Sequence, residues 1–308
     1  MLTITLNPAL DITTTVSQLK PGPKQRCSEP RLDPGGGRVN VSRAIKELGG
    51  ESRALLAIGG SIGDELKALL DRTRIFFDYW PLIEQTRFSF TVMEEATAEH
   101  YLPGPHISSA EADAILKHLE RLILDCPCYI AASSSLPPGV PADFYARLAR
   151  RTRELGAKLI IDTHGEPLRL AVAVRPHIIR LNHIEAQELM GGDADGAAHL
   201  LARQLIERSL ADAIIVTLGD RGAIVATAGN EIEIRPPPVE VRSSVGAGDS
   251  FVAALTFGLA NGWTTEQAAR YGVAAAAAAV TREATELCKR DTVNAFFAQI
   301  GGLLLPAA

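Results

Sequence analysis

The sequence predicts an α/β fold, a mostly parallel sheet with helices on both faces. Three observations predict it. Short β-rich runs recur along the chain, longer helical patterns separate them, and a 46% apolar composition over 308 residues supplies a full core. Length alone allows one large domain or two small ones.

The first run is LTITL at 2–6, followed by a helical pattern over about 39–48. RALLAI at 53–58 is the next strand, and a helix follows it to about residue 70. CYIAAS at 128–133, KLIID at 158–162, HIIRL at 177–181 and DAIIVTL at 212–218 continue the alternation, with helices between them.

One region departs from that rhythm. In RFSFTVME, residues 87–94, Phe88, Phe90 and Val92 fall on one face and Arg87, Ser89 and Thr91 on the other. That pattern suits a half-exposed antiparallel strand. LDITTTVSQL at 10–19 is similarly β-branched and polar, so the two runs are expected to pair in a small side sheet. An uncovered apolar face on that sheet needs a partner, which predicts a dimer through it.

Charge and composition exclude several classes. The net charge is −5, and the basic residues are scattered rather than gathered in a stripe, so nucleic-acid binding is not expected. MLTITLNPALD lacks the basic and apolar regions of a signal peptide, and the longest apolar runs, such as VAAAAAAV at 273–280, are too short to span a membrane. A cytoplasmic chain without a membrane partner is expected. The four cysteines, Cys27, Cys126, Cys128 and Cys288, form no disulfide framework or zinc-like spacing and are read as reduced thiols.

Four motifs carry chemistry. RSSVGAGDSFVAAL, residues 242–255, places Gly246, Ala247 and Gly248 at a helix start, where bare amides and the helix dipole form an anion hole. Asp249 beside them repels an anion, so its useful task is to receive a proton from an attacking group. A dipole-stabilising aspartate in a first turn explains the same letter. DPGGGRVNVSRAI, residues 33–45, lets backbone approach a polyhydroxylated ligand, with Asn40 offering both donor and acceptor. Asp11, after the first strand, is a carboxylate suited to two sugar hydroxyls or to capping a turn.

RLNHIEAQEL, residues 180–189, follows a strand that ends at the sheet's carboxyl edge, where such folds bind ligands. Asn182 and Glu185 share a face there, and the same letters spell a capping box. GGSIG, residues 59–63, fits a hydrolase elbow with Ser61 as nucleophile, although it comes early in the sheet for that role. The P-loop pattern is absent, so a nucleotide has to be held in another way.

Taken in order, Asp11, GGGRVNVSRAI, GGSIGDELKALL, SSSLPPGV, RLNHIEAQEL, TLGDRGA and VGAGDSF resemble the ribokinase/PfkB family of sugar kinases over nearly the whole chain. RCSEPRLDPGGG and RPPPVEVRSSVGAGDS are similar to its ribokinase-type 6-phosphofructokinase branch. The resemblance implies a single ribokinase-like domain over 1–308, a Rossmann-type sheet with a small β lid from about 10–33 and 86–103. It makes Ser61 a structural loop residue.

The resemblance also implies an ATP-dependent kinase acting on a sugar phosphate, with Asp249 as base and Gly246, Ala247 and Gly248 around the transferring group. Asp11, Gly36, Gly37, Asn40 and Ser135 are implied at the sugar and Arg87 at its phosphate. Lys24 is implied at the ATP phosphates, Asn182 and Glu185 at those phosphates and Mg2+, with Glu185 as the metal residue, and Thr217, Gly219 and Gly222 at the nucleotide. A homodimer through the lid is implied as well.

Two departures matter. The second lid arginine of ribokinase-type 6-phosphofructokinases is missing from AEHYLPGPHIS, residues 98–108, which looks more like 1-phosphofructokinases and tagatose-6-phosphate kinases. Arg38 stands where the family usually has glycine. It is expected either to supply the missing cation for the sugar phosphate or to point into solvent. TREATEL at 281–287 lacks the Asn and Gly of a monovalent-cation loop, so dependence on K+ stays open.

Overall fold

The computed structural model describes all residues except 17–23, 25, 94–97, 126–128, 134, 192–197, 284–285 and 303–308. In chain order, β1 (Leu2–Thr5), β2 (Ala9–Thr15) and β3 (Arg31–Gly35) precede α1 (Gly37–Glu47). Then come β4 (Arg53–Gly59), α2 (Gly60–Thr73), β5 (Phe76–Leu82), β6 (Arg87–Met93) and β7 (Ala98–Tyr101). α3 (Ser109–Asp125), β8 (Tyr129–Ser133), α4 (Phe144–Glu154), β9 (Lys158–Asp162) and α5 (Gly165–Val172) form the middle. β10 (Ile178–Asn182), α6 (His183–Leu189), α7 (Ala198–Glu207), β11 (Ala213–Thr217), β12 (Ala223–Thr227) and β13 (Glu231–Ile234) lead to α8 (Ala247–Ala260), α9 (Thr265–Val280) and α10 (Arg290–Gln299).

The large sheet runs β13-β12-β11-β10-β9-β8-β1-β4-β5. Its strands are parallel from β11 through β5, and β12 and β13 add an antiparallel edge. Alternate residues feed different faces, as pleating requires. Ile160, Ile178 and Ile215 pack with residues of α1, α8, α9 and α10, whereas Leu159 and Ile161 meet α3 and α4. Ile179 and Ile214 meet α5 and α7. The predicted strands are all present, and β5, β12 and β13 are additions that the sequence reading lacked. Among the described residues, no helix is long and apolar enough to cross a membrane.

The small sheet runs β3-β2-β6-β7. The described parts of the 10–19 and 87–94 runs, β2 and β6, pair as expected, but in parallel, while β2 with β3 and β6 with β7 are antiparallel; residues 17–19 and 94 lie outside the described residues. The reason lies in the large sheet. β2 follows β1 and β6 follows β5, so both leave the same carboxyl edge in the same direction. Ser89 and Thr91 are buried on one face of β6, while Phe90 on the other and Leu32 on β3 are exposed at 36% and 39%. Cys27 and Cys288 carry free thiols, and Cys126 and Cys128 lie outside the described residues.

Candidate active site

The carboxyl ends of the parallel strands deliver the polar side chains. β9 ends in Asp162, β10 in Arg180 and Asn182, and β11 in Thr217. Above them stands α8, whose N-cap Gly246 has φ +75° and no side-chain cap. Only glycine takes that conformation without strain, and a Cβ there would also stand 2.8 Å from Leu287. Among the described residues the amides of Gly246 and Gly248 meet no backbone acceptor, whereas Ala247 N–H makes a long 3.4 Å bond to the Ser244 carbonyl. Of the three amides expected to be bare, two therefore meet no backbone acceptor.

α8 begins between two cavities. One, of about 930 Å³, is polar: Asp11, Gly36, Gly37, Asn40, Arg87 and Ser135 line it together with Gly246 and Asp249. Ser89 and Thr91 of the lid, Asn7, His164 and Ser244 complete its polar wall. The other, of about 650 Å³, is largely apolar, with Thr217, Gly219, Gly222, Ala247 and Gly248 beside Phe251, Val273, Ala276, Ala277 and Val280. The alanine-rich run of α9 thus packs on α8 and also forms cavity wall. Gly222 has φ +93°, and a Cβ there would lie 2.0 Å from the Ile234 carbonyl, so the turn that shapes this wall requires glycine.

Asp249 accepts a 3.0 Å hydrogen bond from Asn40 Nδ2, and Asn40 Oδ1 in turn accepts one from Arg43 Nη1 at 3.0 Å. Burial pushes the Asp249 carboxyl up to about 6, with Arg38, the Asn40 amide and Arg180 pulling the other way and Asp162 adding to the rise. Asp11 is likewise pushed by burial to about 6 against the pull of Arg87 and the Ser89 hydroxyl. Arg87 donates from Nε and Nη2 to the Asn7 carbonyl at 3.3 Å, which fixes its guanidinium on the polar cavity.

Asn182 and Glu185 form the capping box of α6. Glu185 N–H donates to Asn182 Oδ1 at 2.8 Å and Asn182 N–H to Glu185 Oε2 at 2.7 Å. Burial raises the Glu185 pKa. Neither residue lines either cavity. Among the described residues no group of three acidic, histidine or cysteine side chains could cage a metal. Glu185 offers a single carboxylate, one oxygen of which is engaged by the Asn182 backbone amide, so a Mg2+ ion beside it would be held chiefly by substrate phosphates, the usual manner for that ion.

Arg38, Lys24 and Ser61 lie away from both cavities as well. Arg38 neither reaches the polar cavity nor points into solvent. Its side chain is 0% exposed and is drawn inward by Asp162, 3.3 Å away, and by the Ala132 carbonyl, also at 3.3 Å. Lys24 is exposed and lines neither cavity. Ser61 also stands outside both cavities, and its hydroxyl accepts from Gln85 Nε2 at 3.3 Å, an amide that cannot act as a hydrolase base.

Sequence reasoning missed Arg180 and Asp162. Arg180 lines the apolar cavity, lies 3.2 Å from Asp162 and donates to Thr217 Oγ1 at 2.8 Å. Burial alone would raise the Asp162 pKa, but Arg180 and Arg38 overcome it and hold the carboxyl below its ordinary range. Their position at strand ends was the signal available. Ser89 and Thr91 were legible as a polar strand face but not as cavity wall.

Residues 5–292 match the pfkB family carbohydrate kinase pattern. An ATP-dependent 6-phosphofructokinase isozyme 2 of Mycobacterium tuberculosis is 41% identical over 96% of this chain and 88% of its own length. A 1-phosphofructokinase of Xanthomonas campestris is 31% identical over 89% of this chain and 88% of its own. Phosphofructokinase-2 of Escherichia coli, solved with fructose-6-phosphate, superposes with a TM-score of 0.90 at 32% identity over 97% of this chain and 98% of its own. The same protein has been solved with potassium, at a TM-score of 0.91, and as a tetrameric inhibited form, at 0.89. With the motifs in order, the two cavities meeting at α8 and these likenesses, the chain belongs to the pfkB family of carbohydrate kinases.

Proposed function

We propose that this protein transfers the γ-phosphoryl group of ATP to a hydroxyl of a hexose phosphate, with the 1-hydroxyl of fructose 6-phosphate as acceptor. One observation carries the reading: the start of α8 is a wall common to both cavities, with Asp249 facing the polar one and Gly248 the apolar one. A sugar in the first and a nucleotide in the second put acceptor and donor on either side of the same bare amides.

The acceptor oxygen attacks phosphorus, the bond to the ADP oxygen breaks, and the hydroxyl proton passes to Asp249. In a loose transition state the aspartate chiefly aims the hydroxyl and takes its proton late. The open amides of Gly246 and Gly248 stabilise the equatorial oxygens, each such donor being worth roughly 3 kcal/mol in a site closed to water. Asp11 and Asn40 hold sugar hydroxyls beside Gly36, Gly37 and Ser135, and Arg87 holds the existing phosphate. Thr217, Gly219 and Gly222 shape the nucleotide wall. Glu185, with Asn182, is the residue for Mg2+, which when bound neutralises phosphate charge.

The apolar wall at Leu102 and Pro103 favours keeping a second reading. Among the described residues Arg87 is the one arginine lining the polar cavity, so fructose 1-phosphate or tagatose 6-phosphate is the alternative acceptor. A coupled ATP-consumption assay across fructose 6-phosphate, fructose 1-phosphate, tagatose 6-phosphate, fructose and ribose tests the choice. Turnover highest with fructose 6-phosphate supports the first reading, and activity confined to fructose or ribose contradicts both. The exposed lid face of Leu32 and Phe90 is the surface we assign to a homodimer of this cytoplasmic enzyme.

A further inference from the structure

Gly37, the residue before Arg38, lies beside the proposed proton acceptor: a Cβ added to it would stand 3.2 Å from Asp249 Oδ1 and 2.9 Å from Ser133 Oγ. Arg38 itself turns inward. Its Nη2 donates to the Ala132 carbonyl and sits 3.3 Å from Asp162 Oδ2, while Asp162 Oδ1 sits 3.2 Å from Arg180 Nη1. Arg180 lines the nucleotide cavity. A ladder of Arg38, Asp162 and Arg180 therefore runs from the neighbourhood of the carboxylate to the opposite cavity.

Packing alone does not account for this arginine. Its Nε and Nη1 are buried with no acceptor among the described residues. An unpaired buried N–H is costly, and an apolar side chain of similar length would fill the space without that cost. Charge does account for it. Asn40 of α1 is hydrogen-bonded to Asp249, whose carboxyl also feels the charges of Arg38 of α1, Asp162 of β9 and Arg180 of β10, while Arg38 feels Tyr145 of α4. Two carboxylates and two guanidiniums balance. Without Arg38 two anions would face one cation.

We infer that Arg38 is a positioning residue for the transfer: its buried guanidinium, braced by Asp162, is the fixed cation that keeps Asp249 an ionised acceptor and ties it through Asp162 to Arg180. The inference rests on the reading of Asp249 as the group that takes the hydroxyl proton. Burial already pushes the Asp249 carboxyl up to about 6, and Arg38 is the largest influence opposing it.

The test compares wild type, Arg38→Met, Arg38→Lys and Arg38→Met/Asp162→Asn by pH profiles of kcat with fructose 6-phosphate. Asp249 is also titrated directly by carboxyl 13C NMR in the unliganded protein, its signal assigned by loss in Asp249→Asn. Arg38→Met is expected to move the acid limb and the NMR titration upward by about one pH unit or more, with KM for the sugar phosphate changed less than about threefold. Arg38→Lys keeps the limb, and the double variant, neutral again, moves it back. If Arg38→Met does not fold, Arg38→Gly carries the same comparison with water in place of the side chain. An unchanged Asp249 titration overturns the inference, and so does a raised KM with an unmoved limb, which would put Arg38 on the sugar phosphate. A wild type inactive on every hexose phosphate contradicts the proposed function instead, and the NMR titration still decides the part played by Arg38.

Discussion

Asn40 Nδ2 donates to Asp249 Oδ2 at 3.0 Å across 209 residues of sequence, pinning the first turn of α1 to the first turn of α8. Both helices begin on a glycine N-cap with no side-chain cap, so their positive ends converge on the polar cavity. The bond leaves Asp249 oriented with its other oxygen beside Gly37, where an added Cβ would stand 3.2 Å from it and 2.9 Å from Ser133 Oγ.

The pH dependence of catalysis follows from two buried carboxyls, Asp249 and Asp11, each raised to about 6 by desolvation. In the proposed roles both have to be ionised, Asp249 to accept the proton and Asp11 to accept sugar hydroxyls. Log kcat/KM is expected to fall below about pH 6 with a slope approaching two, and Asp11→Asn to reduce that slope to one. Initial rates from pH 5 to 8 with enzyme stability checked at each point measure it.

Stability is predicted to pull against function at Asp249. Its folded pKa lies above the unfolded value of 3.8, so the folded state binds the proton more tightly and loses stability as pH rises from about 4 to about 6. At pH 7 the deficit is of order 1–3 kcal/mol. Asp249→Asn should therefore be more stable than wild type at pH 7 by that order, with the difference vanishing below about pH 4. Urea unfolding at the two pH values reads it.

Much of this was legible in the sequence, for reasons that particular residues make clear. Asp249 and its glycines are local: a few adjacent letters set a helix start, its bare amides and its acid. Asn40 was legible as a polar residue on a glycine-rich turn, but its bond to Asp249 was not. Arg38 misled because nothing local marks a buried arginine. Its burial depends on Asp162 and Ala132, which come from strands about a hundred residues or more away. The parallel pairing of β2 with β6 was hidden likewise, because strand polarity follows from where each chain leaves the large sheet.

Arg87→Ala is expected to raise KM for the sugar phosphate by about 10- to 100-fold with a smaller effect on kcat, the equivalent of losing one charge-assisted contact of roughly 1.5–3 kcal/mol. KM for ATP should stay within about twofold, since Arg87 lines only the polar cavity. Steady-state kinetics with each substrate varied in turn separate the two.

Phe90→Glu, alone or with Leu32→Glu, tests the lid face as the contact between subunits. Both side chains are exposed on the outer surface of the small sheet, where a charge would be buried by a partner. Sedimentation velocity at micromolar concentration is expected to show a dimer for wild type and a monomer for the double variant. A wild-type monomer would contradict the assignment.

The most direct measurement is the turnover of Asp249→Asn with saturating ATP and fructose 6-phosphate, alongside ATP binding by calorimetry. The amide keeps the shape of the carboxyl and cannot take the proton, so kcat is predicted to fall by about 10²- to 10⁴-fold while ATP affinity changes little. Turnover close to that of wild type would remove Asp249 from the chemistry, and with it the claim that phosphoryl transfer occurs at the start of α8.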